Sequence, residues 1–271
     1  MKERVLTAIV LLLIVVGALF FDPTGWAVKV LILAIAGVCA FEFDRLAEKN
    51  ASSDPARLSS AIAAASITIV ATGAVTVKDI NLPLFIYLLF ATVSAMIMIW
   101  LFARKNSLAS IGSILWTIAT VIPLALLAST KSPGNWPLLM TAAIPIWCGD
   151  TAAIFVGKAF GKHKLAPAIS PNKTWEGSIG NLIACVGAAL ALGAIFHYPM
   201  LLMVLLGINC GILGQAGDLF ESWLKRKADV KDSGNILPGH GGLLDRLDSL
   251  MATAPLSLLI LQSLVVPGTP N

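Results

Sequence analysis

About nine long apolar runs constrain the fold of this chain more than any other feature. They lie at residues 5–21, 25–41, 59–77, 84–103, 108–129, 137–157, 177–196, 200–220 and 249–266. A helix of about 20 apolar residues crosses a hydrocarbon core of about 30 Å. The runs are continuous and do not alternate with polar residues, which excludes a β-barrel. Only 13% of the residues are charged, about half the share in a soluble domain. The sequence therefore predicts an all-α, polytopic integral membrane protein with about nine transmembrane helices.

The distribution of basic residues predicts how these helices are oriented. With a cytoplasmic N-terminus, the nine spans place 16 of the 19 Lys and Arg residues on the cytoplasmic side. Only Lys78 and Lys131 fall on the opposite side, and Lys29 lies within a span. Cytoplasmic loops carry such an excess of basic residues. We therefore expect a cytoplasmic N-terminus, and we expect the first run to remain as an anchor.

The polar residues divide the chain into two regions. Residues 1–140 carry no motif, and we predict a transmembrane scaffold there. Residues 141–271 hold two long cytoplasmic loops, 158–176 and 221–248, with nearly all the unusual polar residues. We predict that this second region is catalytic, faces the cytoplasm and forms one continuous membrane unit with the first. The four cysteines lie in apolar runs, and we expect small buried side chains, not disulfides or metal ligands.

Asp150 follows Trp147, Cys148 and Gly149 well inside a predicted span. A carboxylate at the centre of a membrane helix costs about 3 kcal/mol on insertion scales. We therefore expect Asp150 to face a polar cavity. The alternative is a structural aspartate that is hydrogen-bonded to a neighbouring helix.

The segment Ser170-Pro-Asn-Lys-Thr-Trp-Glu-Gly177 has the composition of an anion-binding turn. Pro171 disfavours helical backbone at Ser170, so we expect a turn or loop. Thr174 would cap the next helix, whose free N–H groups, with the charge of Lys173, would attract a phosphate. An ordinary helix cap beside a lysine is the alternative, and no Walker motif is present.

A helix from Met200 to Arg226 would be about 40 Å long, so its last turns should emerge into the cytoplasm. Asp218, Glu221, Ser222 and Lys225 are spaced at i, i+3, i+4 and i+7 and share one helix face. The glycines at 207, 211, 214 and 217 would permit close approach of a neighbouring helix or a ligand. A solvated helix end with ordinary ion pairs is the alternative.

The stretch from Lys231 to Asp248 combines a constrained turn with two acids. Six residues between 234 and 242 are Gly, Pro or His, so this backbone can approach a ligand closely. Asp245 and Asp248 share a face at the start of the final helix. Carboxylates are the expected ligands of Mg²⁺, although helix capping by acids is the alternative. Acids interleaved with bases suit a metal–polyphosphate complex, which indicates phosphoryl or nucleotidyl transfer.

The run from Ser222 to Asp248 resembles the signature of phosphatidate cytidylyltransferases, also called CDP-diacylglycerol synthases. The matching positions are Ser222, Lys225, Arg226, Lys231, Asp232, Gly234, Leu237, Pro238, Gly239, His240, Gly241, Gly242, Asp245, Arg246 and Asp248. Ser170–Gly177 and Trp147–Asp150 are also similar to stretches of that family. The resemblance implies that CTP and phosphatidate give CDP-diacylglycerol and pyrophosphate, with Mg²⁺ and a suggested second cation. We expect a bacterial inner-membrane protein in contact with membrane lipid and with no nucleic acid partner. A homodimer is left open.

Within this reaction we assign roles to individual residues as hypotheses. The predicted metal ligands are Asp218 and Asp245, with Asp248 and Asp150 as further candidates. The residues predicted to hold the phosphates are Lys173, Lys225, Arg226, Lys231 and Arg246. His240 would donate to a phosphate or organise its loop. The remaining predicted substrate-binding residues are Ser170, Asn172, Thr174, Ser222, Gly241 and Gly242.

Three other functions compete with this interpretation. A CDP-alcohol phosphotransferase would carry an Asp-Gly-x2-Ala-Arg run, which is absent. A secondary transporter would explain Asp150 and the glycine-rich helices, but the polar residues cluster on one membrane face instead of at the midplane. A scaffold without activity would not need the complete signature.

Overall fold

The structure is a computed structural model that describes residues 2–21, 26–47, 109–130, 136–237, 239 and 241–264. In these ranges the chain forms seven α-helices and one two-stranded antiparallel sheet. In chain order the elements are α1 (Lys2–Phe20), α2 (Trp26–Ala47), α3 (Ala109–Ser129), α4 (Leu138–Phe160), β1 (Lys164–Ala166), β2 (Ser170–Thr174), α5 (Trp175–Phe196), α6 (Met200–Lys227) and α7 (Leu244–Gln262). The predicted helical class is confirmed, and the short hairpin is an addition to it.

Three helices are long and apolar enough to cross a membrane within the described ranges. They are α4, α5 and α6, which contain most or all of the predicted spans 137–157, 177–196 and 200–220. The other four helices overlap the predicted runs 5–21, 25–41, 108–129 and 249–266. The runs 59–77 and 84–103 lie outside the described residues. The helices fit a membrane protein, whereas the total of nine spans and their orientation stay predictions.

The chain divides into two compact units. The first consists of Met1–Thr130 together with Leu224–Leu247. Within it, α2 packs against both α1 and α3. The buried surface of α2 combines large residues such as Ile32 and Phe43 with the small residues Ala36, Cys39 and Ala40, and small residues let helix backbones approach closely. Glu42, one turn further on, is also buried.

The second unit consists of Lys131–Trp223 and Asp248–Asn271. Within it, α4 packs along α5, and α5 meets α6 through glycines. A Cβ atom at Gly207 would lie 2.5 Å from Cα of Val186, and one at Gly211 would lie 2.9 Å from Cα of Leu182. The predicted close approach at these two glycines is therefore confirmed for a neighbouring helix. The prediction that residues 1–140 are scaffold and 141–271 are catalytic concerns function and stays a prediction.

Polar bonds join α6 to α7 inside the second unit. The side-chain amide of Asn209 donates to the carbonyl of Thr253 at 3.1 Å and to the Ser257 hydroxyl at 2.9 Å. Away from this core, large apolar side chains such as Phe155, Ile183 and Leu201 are exposed. Many exposed large apolar side chains are typical of a surface that contacts a membrane or another protein.

The cysteines agree with the sequence prediction at three positions of four. All four thiols are free, and Cys39, Cys185 and Cys210 are buried. Cys148 is exposed, so the prediction was wrong there. The reason is its position on α4, where Trp147 and Cys148 point away from the buried face that holds Ile146 and Gly149.

Candidate active site

A β-hairpin places Lys173 beside Asp218. Strands β1 and β2 pair antiparallel between α4 and α5, and Lys173 is the last residue but one of β2. Its Nζ atom lies 2.6 Å from Oδ2 of Asp218 on α6. Both side chains are partly exposed. Two residues that the sequence predicted for one site are therefore brought into direct contact.

The segment predicted to be a turn or loop is a strand. The Cα atoms of Ser170 and Ala166 are partners in the hairpin register. The residue before a proline favours extended over helical backbone, and β1 supplies the partner that turns this extended segment into a strand. Ser170 is half-buried in the strand, whereas Asn172 is exposed.

Thr174 caps α5, as predicted. Its hydroxyl oxygen accepts a hydrogen bond from the Gly177 N–H at 3.1 Å, and its backbone is extended. Three glycines surround this buried side chain. A Cβ atom would lie 3.2 Å from the Thr174 hydroxyl if placed at Gly157, 3.0 Å if placed at Gly177 and 2.9 Å if placed at Gly161. Thr174, the last residue of β2, therefore packs directly against the backbone at these three glycines.

Asp150 belongs to a chain of polar side chains between α4, α5 and α6. Its Oδ1 accepts a hydrogen bond of 3.3 Å from the Asn181 amide. The Gln215 amide donates to Oδ1 of Asn181 at 3.2 Å. The charges of Asp218 and Lys173 both act on the Asp150 carboxylate. Asp150 thus makes the interhelical bond expected of a structural aspartate, yet it is exposed and open to a ligand.

The acids at the end of α6 lie on a continuous helix, as predicted. The helix runs to Lys227, and the Ser222 hydroxyl donates to Oδ1 of Asp218 at 3.4 Å. Glu221 differs from these two residues because it is buried. The predicted face therefore holds an accessible part, Asp218 and Ser222, and a part that is enclosed by protein.

Lys225 and Asp245 form a second ion pair, in the first compact unit. Nζ of Lys225 lies 2.7 Å from Oδ1 of Asp245, and their side chains are 12% and 7% exposed. Oδ2 of Asp245 accepts hydrogen bonds from the N–H of Ser233 at 3.1 Å and of Gly242 at 2.8 Å. Asp245 thereby joins Ser233 to Gly242 within the turn between α6 and α7, which comprises residues 228–243.

The turn between α6 and α7 is tight, as its composition predicted. The N–H of Leu237 donates to the carbonyl of Gly241 at 3.0 Å. Gly239 and Gly241 have φ of 74° and 84°, a left-handed backbone that favours glycine. His240 lies outside the described residues. The bases predicted to hold phosphate around this turn, Arg226, Lys231 and Arg246, are exposed.

Glu42 is a residue of this region that the sequence did not reveal. The residue is only 1% exposed, and its carboxylate accepts hydrogen bonds from Ser233 Oγ, Leu243 N–H and Leu244 N–H. Burial raises the pKa of the Glu42 carboxyl, and these hydrogen bonds oppose the rise. The one sequence signal was an acid directly after an apolar run, which is equally typical of a solvated loop.

The carboxylates differ in how well they fit Mg²⁺. This ion is usually bound through one or two carboxylates, completed by water and substrate phosphates. Among the residues that the structure describes, no three His, Cys, Asp or Glu side chains are grouped so that together they could hold a metal ion. Asp218 fits this arrangement of one or two carboxylates, because the hydrogen bond that its Oδ1 accepts from Ser222 is long, at 3.4 Å. Asp245 is already bound by at least three donors, and Oδ1 of Asp248 accepts from Ser249 N–H at 2.7 Å.

Known proteins resemble this chain over most or about half of its length. A Staphylococcus haemolyticus protein named phosphatidate cytidylyltransferase is 37% identical over 266 residues, which cover 97% of this chain and 100% of that protein. Proteins of the same name from Staphylococcus aureus and Bacillus subtilis are 48% identical over 137 and 126 residues. The Staphylococcus aureus match spans 52% of that protein and 49% of this chain. The Bacillus subtilis match spans 45% of that protein and 44% of this chain. This chain therefore aligns with about half the length of each of these two relatives.

A sequence profile described as the cytidylyltransferase family matches residues 2–264. The match therefore includes both ion pairs, the hairpin and the turn between α6 and α7. Together with the relative that aligns from end to end, it establishes that this chain belongs to the cytidylyltransferase family.

Proposed function

We propose that the protein transfers the cytidylyl group of CTP to phosphatidate. A phosphate oxygen of phosphatidate attacks the α-phosphorus of CTP and forms a new P–O bond. The bond from the α-phosphorus to the bridging oxygen breaks, pyrophosphate leaves, and CDP-diacylglycerol remains. The observation that carries this proposal is the complete signature run from Ser222 to Asp248, in a chain that aligns over 97% of its length with a protein named for this activity.

The second compact unit offers a cation and an anion that suit the two charges of a metal–nucleotide complex. Lys173 and Asp218 neutralise each other at 2.6 Å while both remain partly exposed. In the proposed function Lys173 binds phosphate oxygens. Asp218 would hold Mg²⁺, and Asp150 and Asp248 are further candidate ligands. When bound, Mg²⁺ supplies positive charge for the phosphates of CTP and its leaving group.

The first compact unit contains an organised turn that we propose binds phosphate. Asp245 is the candidate metal ligand there, and it fixes the backbone at Ser233 and Gly242. Lys225 is held against Asp245. We propose that the exposed bases Arg226, Lys231 and Arg246, together with Lys225, hold phosphate groups. Ser222, Gly241, Gly242 and His240 complete the proposed substrate contacts, with Ser170, Asn172 and Thr174 from the hairpin.

The proposed nucleophile needs little help from a general base. A phosphate monoester has a second pKa of about 6 and is largely ionised near neutral pH. What the reaction needs from the protein is positive charge and correct placement. The two ion pairs fix the positions of the Lys173 and Lys225 ammonium groups, and the exposed bases Arg226, Lys231 and Arg246 supply further positive charge.

We also propose where the reaction takes place. Nine spans with a cytoplasmic N-terminus would put the hairpin and the turn between α6 and α7 on the cytoplasmic face of a bacterial inner membrane. A water-soluble nucleotide and a lipid phosphate meet at such a boundary. The excess of Lys and Arg in the loops assigned to that face supports the orientation. A homodimer remains a prediction.

One assay tests the proposed activity against its rivals. Purified protein is incubated with phosphatidate, Mg²⁺ and CTP that is radiolabelled on the α-phosphate. We expect label in the lipid fraction and one unlabelled pyrophosphate for each labelled lipid. A carrier or an inactive scaffold gives no labelled lipid. A CDP-alcohol phosphotransferase gives none from CTP, but releases CMP when it receives CDP-diacylglycerol and an alcohol.

A further inference from the structure

We infer that Glu42 is a positioning residue for the turn between α6 and α7, although it lies about 190 residues before that turn. The inference rests on the proposed function, because the turn carries the candidate phosphate-binding groups. Glu42 lies on α2, in a region where the sequence contains no chemical motif. It would act through the turn, without touching substrate.

The hydrogen bonds of Glu42 reach both ends of the turn. Its Oε2 accepts from the Ser233 hydroxyl at 3.0 Å and from the Leu244 N–H at 2.8 Å. Its Oε1 accepts from the Leu243 N–H at 3.1 Å. The first N–H groups of a helix have no partner within the helix, and negative charge is favourable there. Glu42 therefore caps α7 with a side chain from another helix.

Two glycines give the Glu42 carboxylate room to approach. A Cβ atom at Gly234 would collide with Oε1 of Glu42, and one at Gly242 would lie 2.6 Å from Oε2. Both glycines belong to the run that resembles the family signature. The close approach of Glu42 by itself requires a residue without a Cβ atom at both positions.

Glu42 and Asp245 divide the donors of the turn between them. At Ser233, Asp245 accepts from the backbone N–H and Glu42 accepts from the hydroxyl. At the start of α7, Asp245 accepts from Gly242 N–H, and Glu42 accepts from the two N–H groups that follow. Loss of Glu42 would remove three hydrogen bonds that hold Ser233 and the start of α7. The positions of Asp245, and of Lys225 that pairs with it, would then be held less firmly.

The test compares Glu42→Ala, Glu42→Gln and Glu42→Asp in the full-length protein. Alanine removes all three bonds, and aspartate keeps the charge but is one methylene too short to reach. Glutamine keeps one accepting oxygen and the original reach. We expect kcat/KM to fall about tenfold or more in the Ala and Asp variants, because small misplacements near the reacting groups are costly. We expect the KM for CTP to rise, and the Gln variant to retain more activity than the Asp variant.

Hydrogen exchange reports the contact independently of activity. The amides of Leu243 and Leu244 should exchange about tenfold faster in the Ala variant, because exchange follows local opening. Asn235→Ala is the matched control, since Asn235 is an exposed residue of the same turn. We expect both the exchange rates and the KM for CTP to stay at wild-type values in this control.

The outcomes separate the inference from the proposed function. If Glu42→Ala lowers the amount of folded protein but leaves the KM for CTP unchanged, Glu42 is merely structural and the inference is wrong. Unchanged exchange at Leu243 and Leu244 would also overturn it. If the wild-type protein makes no labelled lipid, the proposed function fails, while the exchange rates still decide whether Glu42 holds the turn.

Discussion

The Nζ atom of Lys173 lies 2.6 Å from Oδ2 of Asp218, and the two side chains are 23% and 37% exposed. An ion pair this accessible contributes about 0–1 kcal/mol to folding. The Lys173–Asp218 ion pair therefore contributes little to the stability of the fold. Opposite charges that stay partly exposed remain available to a ligand that itself carries both signs, such as a metal–nucleotide complex.

Replacing Asp218 by asparagine should abolish turnover and leave the fold intact. We expect the rate of labelled-lipid formation to fall by about 100-fold or more, because one preorganised electrostatic contact contributes on this scale. The free energy of unfolding in detergent should change by less than about 1 kcal/mol, since the ion pair is accessible. Near-normal activity of Asp218→Asn in Mg²⁺ would contradict the role of Asp218 as a metal ligand.

The two ion pairs should respond differently to the same substitution. Lys225→Met removes the ammonium group that lies 2.7 Å from Oδ1 of Asp245, whose side chain is 7% exposed, and breaking a buried pair costs about 3–5 kcal/mol. Because the hydrogen bonds from Ser233 and Gly242 still stabilise the carboxylate, we expect a loss at the lower end of this range, about 3 kcal/mol. Lys173→Met is the matched variant, with an expected loss below about 1 kcal/mol. Thermal unfolding of both variants in the same detergent measures the difference. Equal losses of stability would contradict the finding that the Lys225–Asp245 pair is buried and the Lys173–Asp218 pair is accessible.

The contact between α5 and α6 should be sensitive to one methyl group. A Cβ atom at Gly207 would lie 2.5 Å from Cα of Val186, so the two backbones must separate in Gly207→Ala. Overpacking of this kind costs about 1–3 kcal/mol. Gly187→Ala is the control on α5, because nothing lies within 4 Å of its Cβ position. The melting temperature of Gly207→Ala should fall well below that of Gly187→Ala, and similar values would contradict the close contact.

Cysteine labelling tests the proposed orientation. In a Cys148→Ser background, which removes the one exposed native thiol, Asn235→Cys and Phe21→Cys place new thiols at two exposed positions. A membrane-impermeant maleimide should label Asn235→Cys only from the cytoplasmic side and Phe21→Cys only from the opposite side. Labelling of Asn235→Cys in intact cells would overturn the proposed orientation.

Features that depend on local sequence were predicted well. The helix that ends at Lys227 and the cap at Thr174 both follow from residues within a few positions of each other. The same holds for the tight turn before Asp245, whose composition is dominated by Gly, Pro and His.

Features that depend on distant partners were not predictable in this way. The extended segment at Ser170 became a strand only because β1 lies beside it, and the exposure of Cys148 depends on which face of α4 is covered. Glu42 was missed for the same reason, since no periodicity links an acid on α2 to N–H groups about 200 residues later. The hydrogen bonds that Asp245 accepts from backbone N–H groups could not be predicted either. The sequence shows that Asp245 is charged, but not which groups donate to it.

The packing of Thr174 against Gly157, Gly161 and Gly177 has a consequence for Lys173, the residue before it. Because Thr174 packs against backbone at these glycines, the distances between Thr174 and the three glycines set the position of the end of β2. A methyl group at one of the glycines would lengthen such a distance. The lysine ammonium reaches Asp218 from that fixed base. The alignment of the two charges thus depends on these contact distances, and we expect an alanine at Gly161, whose Cβ atom would lie 2.9 Å from the Thr174 hydroxyl, to disturb it.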